Sequence, residues 1–88
     1  MNRFSLDDAT DPSAPRWQGL RLPVRLRVTA AIASLRATGT LRRADIERIG
    51  EVTERTAATD ITEIRKRCPG LVRYDKNRKA YVLKASAK

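Results

Sequence analysis

The 88-residue chain contains no histidine and a single cysteine, Cys68. Without histidine it lacks the commonest general base and the commonest metal ligand. One cysteine excludes an intrachain disulfide framework and a cysteine-based zinc site. No apolar run approaches the roughly 18–20 residues needed to span a bilayer, and the N-terminus has no signal-peptide core. Paired catalytic carboxylates and a glycine-rich phosphate loop are also missing. These absences predict a protein that is not an enzyme, takes no cofactor, metal or evident small-molecule ligand, avoids the membrane, and resides in the cytoplasm.

What the chain has in excess is positive charge. Lys and Arg total 19 against 10 Asp and Glu, a net charge of +9. The excess runs through the chain: six basic residues against three acidic in residues 1–40, and thirteen against seven in residues 41–88. It therefore belongs to the folded part rather than to an appended tail, as expected for a surface that displaces counterions from phosphate. The length allows one small domain with a modest core.

Residues 1–15 read as a flexible arm, because Asp7, Asp8, Asp11, Pro12, Ser13 and Pro15 break any periodicity. Residues 16–84 read as the folded domain and 85–88 as a flexible C-terminus. Trp17 either packs on the core or marks a dimer contact. A first helix is predicted from about residue 22 or 23 to 37, with Val24, Val28, Ala31, Ile32 and Leu35 as its apolar stripe and Gly39 as its stop. Thr40 and Leu41 make at most a strand stub. A second helix over about residues 43–49 would bury Ala44, Ile46 and Ile49, with Gly50 in the left-handed position that ends it.

Thr53 then caps a third helix, without a Glu or Gln at the third position to complete a capping box. This helix carries two opposed stripes. Ala57, Ile61, Ile64 and Cys68 recur at i, i+4, i+7 and i+11, the spacing of one buried face. Arg55, Ala58, Thr59, Thr62 and Lys66 form the other face, which is small, polar and basic with no acidic member. A solvated face ordinarily mixes long Glu, Lys and Gln side chains. A helix entering the DNA major groove, about 12 Å wide, needs small side chains and donors instead. Arg55 could donate bidentately to guanine, and Thr59, Thr62 and Ala58 could offer methyl contacts to thymine. Asp60 reads as a structural partner of a neighbouring arginine, and Cys68 as a small buried residue.

Beyond Pro69-Gly70 the period falls from about 3.6 to 2. Tyr74 is predicted to oppose Tyr81 and Asp75 to oppose Ala80, with Asn77-Arg78 as a two-residue loop or a slightly longer one. Tyr74 and Tyr81 read as core aromatics of this hairpin rather than as stacking platforms. The order helix, stub, helix, turn, helix, hairpin defines a mainly α fold with a small β-hairpin, a winged helix-turn-helix.

Residues 41–83 resemble the N-terminal winged-helix domain of bacterial WYL-domain transcriptional repressors, especially those associated with phage-defence islands. The residues carrying the resemblance are Arg43-Ala44-Asp45-Ile46, the Ala-x-x-Asp-Ile of Ala57 to Ile61, Pro69-Gly70-Leu71, Tyr74-Asp75-Lys76 and Lys79-Ala80-Tyr81-Val82. More loosely the chain is similar to DeoR-type regulators. Thr56 and Asp60-Ile61 fit their Thr-x-x-Arg-Asp-Leu pattern, but Thr59 stands where the arginine would be. No ligand-sensing WYL region follows Lys88, so the chain reads as a free-standing small regulator or as one domain of a longer one.

The functional expectation is a sequence-specific binder of double-stranded DNA, a transcriptional regulator and a repressor rather than an activator, associated with the nucleoid in the cytoplasm. Base contacts are assigned to Arg55, Ala58, Thr59 and Thr62. Backbone contacts are assigned to Arg42, Arg43, Thr53, Thr56, Lys66, Arg73, Lys76, Asn77, Arg78 and Lys79. For the group Lys76-Asn77-Arg78-Lys79 the competing role is a soluble turn that blocks edge pairing. A homodimer is expected because one module covers only roughly 600–1,000 Å² on DNA, with the first helix, Phe4 and Trp17 as candidate contacts. Two other classes stay open: a non-regulatory nucleic-acid accessory in phage packaging or recombination, and a protein-interaction winged helix.

Overall fold

The computed structural model describes residues 6–84. A short helix α1 (Leu6–Ala9) and a 3-10 turn (Pro15–Trp17) precede three longer helices, α2 (Leu22–Thr38), α3 (Arg43–Gly50) and α4 (Glu54–Arg67). An antiparallel hairpin follows, β1 (Val72–Asp75) and β2 (Ala80–Leu83). Leu41 exchanges both backbone hydrogen bonds with Tyr81, at 2.9 and 2.8 Å, and so adds a one-residue third strand. This is the winged helix-turn-helix arrangement, with mainly helical content.

Each helix begins and ends for a readable reason. Pro23 sits in the first turn of α2, where a missing N–H costs nothing. Gly39 ends it at φ 91°, in the left-handed region that glycine enters freely. The Asp45 carboxylate accepts the Arg42 backbone N–H at 2.9 Å, fastening the start of α3. Thr53 Oγ1 accepts the Thr56 N–H at 3.2 Å and caps α4. The core gathers Trp17, Val28, Ile32, Leu35, Leu41, Ile46, Ile64 and Leu71, all at most 1% exposed. Ala57, Ile61, Ile64 and Cys68 are all buried on the inner face of α4.

The second helix departs from expectation. Ile46 is buried, but Ala44 is exposed and Ile49 is 36% exposed. With only eight residues, α3 turns little more than one position fully inward. Gly50 does not occupy the left-handed position; it is the last helical residue, and Glu51 takes φ 53°. A Cβ on Gly50 would fall against Arg27 Cδ and lie 2.9 Å from Arg27 Cγ. The glycine serves close approach, letting the Arg27 stem pass beneath α3.

Arg27 passes there to reach Asp60, which is 1% exposed on α4. The guanidinium donates from Nε to Oδ2 and from Nη2 to Oδ1, the latter at 3.0 Å. This two-pronged pair ties α2 to α4 through the buried side of the latter, and the carboxylate raises the Arg27 pKa further. Asp60 therefore has the structural arginine partner expected of it.

The N-terminal segment is also corrected. Phe4 lies outside the described residues, as do residues 85–88. From Asp8 onward, however, the chain is packed rather than a flexible arm: Ala9 is 0% and Ala14 4% exposed. Asp8 pairs with Arg16 at 2.6 Å. Asp11 accepts the N–H and hydroxyl of Ser13 at 2.9 and 2.7 Å, so the Asp-Pro-Ser stretch is an ordered turn. Arg16 donates to the Arg67 carbonyl, and Arg67 donates back to the carbonyls of Arg16 and Gln18. This reciprocal clasp straps the segment over the C-terminal end of α4. Trp17 is fully buried, which leaves it no part in a dimer contact.

The hairpin register is the expected one, Tyr74 opposite Tyr81 and Asp75 opposite Ala80. The loop is longer, with residues 76–79 outside the strands. The Asp75 carboxylate accepts the N–H groups of Asn77 and Arg78, and the positive φ falls on Lys79, at 54°, not on Asn77.

Two substitutions test the α2–α4 tie. Asp60→Ala should cost about 3–5 kcal/mol in urea unfolding by leaving the partly buried Arg27 guanidinium without its partner. Gly50→Ala should also destabilise, although helix propensity alone would favour alanine by about 1 kcal/mol. A stabilised Gly50→Ala protein would contradict the close approach of Arg27.

Candidate nucleic-acid interface

The outward face of α4 is small, polar and basic as built. Arg55, Thr59, Thr62 and Lys66 are exposed and Ala58 is half-buried. Thr59 and Thr62 donate their hydroxyl protons to the carbonyls of Arg55 and Ala58, at 3.2 and 3.1 Å. Their methyl groups and remaining lone pairs stay available to a ligand. Arg55 makes no hydrogen bond or ion pair through its side chain among the described residues. Lys66 has only a long contact, 3.9 Å, with Glu63. Such exposed pairs contribute little and exchange readily for another anion.

The positive N-terminal end of α4 is capped rather than open. Thr53 accepts the Thr56 N–H and its hydroxyl donates to Thr56 Oγ1 at 3.2 Å. Glu54 adds a carboxylate there, and Arg43 of α3 reaches across the turn to pair with it at 3.3 Å. Both members are more than half exposed, so the contact is a weak one that a phosphate could displace.

Between α3, α4 and the hairpin lies an open groove of about 660 Å³. It brings together Arg42, which precedes α3, Arg43 from its first turn, Ala58 and Thr62 from α4, and Lys79 from the hairpin loop, five positions that the sequence points to as DNA contacts. Arg42 is tethered to the loop, donating from Nη2 to the Arg78 carbonyl at 3.0 Å. Arg78 itself leans back on Asp75 at 3.8 Å. Lys76 and Asn77 occupy the exposed tip. Arg73 is not brought to the groove. Tyr74 lines it, and alternation along β1 turns Arg73 to the other face of the hairpin.

The tyrosines are a further correction. Tyr74 is 50% exposed and Tyr81 half-buried, and their rings meet edge to face with centroids 5.1 Å apart and planes at 72°. They form a wall of the groove rather than a sealed core. Arg65 of α4, absent from the sequence assignment, lies with its guanidinium carbon 5.7 Å from the Tyr81 centroid. A signal for it existed: Ala58, Thr62 and Arg65 recur at i, i+4 and i+7 along the edge of the polar stripe facing the hairpin.

Cys68 closes the inner face of α4, 1% exposed. Burial pushes its thiol pKa up, and the neighbouring Arg16, with Nη1 3.8 Å from Sγ, pulls only partly the other way. Among the described residues no helix is long and apolar enough to cross a membrane. No protein-family model, curated protein or solved structure matches the chain, so its functional reading rests on this geometry.

Burial and a raised pKa make Cys68 unreactive while the fold is intact. A thiol reagent at pH 7 should label native protein only on the timescale of unfolding and label it at once in denaturant. Rapid native labelling would contradict the packing of the strap over α4.

Proposed function

We propose that the chain is a sequence-specific double-stranded DNA-binding transcriptional regulator, a repressor that excludes polymerase by occupying its site. In this reading α4 enters the major groove, with Arg55, Ala58, Thr59 and Thr62 at base edges, while the hairpin and the start of α3 meet phosphates. The carrying observation is the exposed stripe of Arg55, Ala58, Thr59, Thr62 and Lys66 on α4, which has no acidic member and is flanked by cations from two neighbouring elements, with Glu54 beside it already paired to Arg43. A face meant only for solvent has no reason to be both small and uniformly non-acidic. A cytoplasmic, nucleoid-associated location follows from this reading.

Selection of bound duplexes from a random pool tests this directly. A sharp motif is expected, and Arg55→Ala should relax it at one base pair at a cost of roughly 1–3 kcal/mol. Recovery of unenriched DNA would instead favour a general nucleic-acid accessory. No duplex binding beyond that of any basic protein would favour a protein-interaction module.

The partner expected alongside DNA is a second copy, and α2 supplies the surface. Leu22 and Leu26 are 54% and 50% exposed, and Ala30, Ala33 and Ala37 continue the same face, also exposed. In an antiparallel pair of α2 helices, Leu22 and Leu26 of one copy meet Ala37 and Ala33 of the other, large against small. Leu26→Glu should therefore abolish self-association in sedimentation while leaving the helical circular dichroism unchanged. An inverted repeat among the selected sites would accompany the dimer; a monomer both free and on its full site would contradict it.

A further inference from the structure

We propose that the groove between α4 and the hairpin seats one phosphodiester of the bound duplex, with its deoxyribose against Tyr74 and its charge met by Lys79 and Arg65. The inference rests on the DNA-binding reading and assigns ligand contacts to Tyr74 and Arg65.

Three independent observations converge on this groove. The first is charge. Arg42, Arg43, Arg65 and Lys79 line it against two carboxylates, Glu47 and Glu54. Glu54 is already held by Arg43, so an uncompensated positive balance remains at the groove's mouth. The second is Tyr74. A half-exposed tyrosine on a hairpin normally covers apolar surface or places its hydroxyl on a partner. This one meets Tyr81 in an edge-to-face contact, and its hydroxyl makes no hydrogen bond among the described residues. It presents a half-exposed ring and a free donor side by side, which suits a sugar next to a phosphate oxygen.

The third is backbone strain. Lys79 stands at φ 54°, in the left-handed region where a hairpin loop of this kind ordinarily places glycine. A lysine there destabilises the loop relative to glycine, and its ammonium forms no ion pair with a described residue. Asp75 and Arg42 hold the loop through the backbone of Asn77 and Arg78, which leaves the Lys79 ammonium uncommitted and able to meet a ligand phosphate at the groove. Ala58 and Thr62 border the same groove. A duplex presenting its major groove to their face must carry one strand past Lys79 and Tyr74.

The test uses the full chain and a mixed-sequence duplex, with affinity measured over a range of salt, alongside a duplex from the selection. Lys79→Gly should weaken binding about fivefold to tenfold and lower the salt slope by about one counterion. Its melting temperature should be unchanged or higher, because glycine relieves the loop. Tyr74→Phe should weaken binding severalfold with the slope unchanged, since only a neutral donor is lost. Loss of affinity together with a lower melting temperature in Lys79→Gly would make the residue structural and overturn the seat. Wild-type affinity and slope in both variants, with a sharp selected motif, would overturn the seat and leave the regulator standing. Weakened variants with no selected motif would support the seat while removing sequence specificity. Absence of duplex binding would remove both.

Discussion

Asp60 sits on the inner side of α4 with almost no exposed surface, and a carboxylate is tolerable there only because Arg27 crosses from α2 to meet it with two hydrogen bonds. The rest of the arrangement depends on that pair. Arg27 can cross only because residue 50 has no Cβ, so the α3–α4 turn is shaped by an interaction that neither of its flanking helices contributes alone. A buried ion pair is a poor source of net stability, but it tolerates few alternative geometries. Here it fixes the rotation of α4 about its axis. Asp60 inward places Arg55, Thr59, Thr62 and Lys66 outward.

The other end of α4 is held differently. Arg16 and Arg67 exchange hydrogen bonds with each other's backbone carbonyls, so the N-terminal strap locks the last turn of the helix without any buried carboxylate. Between these two anchors the outward face is left sparsely bonded. Its cations are exposed, weakly paired or unpaired, and two of its threonines bond only their own helix. A rigid helix carrying loosely committed side chains is what recognition of a polyanion requires: the scaffold is ordered beforehand, and little existing bonding opposes the ligand.

Much of this was legible in the residues. The two stripes of α4, the Thr53 cap and the tyrosine register follow from local spacing, which a helix or a hairpin enforces within a few residues. Asp60, one of three acids on α4 with Glu54 and Glu63, reads as the structural partner of an arginine. What was not legible depends on tertiary placement. A glycine at a helix end serves a left-handed turn or a close approach, and only the path of Arg27 separates the two. Asp11, Pro12 and Ser13 rule out regular structure, yet irregular is not the same as flexible, and Ala9 and Ala14 were too small to signal that they pack. Tyr74 and Tyr81 share a hairpin face, but how deeply that face is covered depends on how far α4 and α3 stand from it. The placement of Arg65 over Tyr81 follows only once the hairpin lies alongside α4.

The proposed interface places duplex DNA on the surface shared by α4 and the hairpin, and backbone amide chemical shifts followed during titration with a short duplex would locate it. Shifts are expected to concentrate at Arg42 and Arg43, along the outward positions of α4, and at residues 74–79, with the outer face of α2 silent on a single half-site. Shifts centred on α2 or on the N-terminal strap, with α4 and the hairpin unchanged, would contradict it.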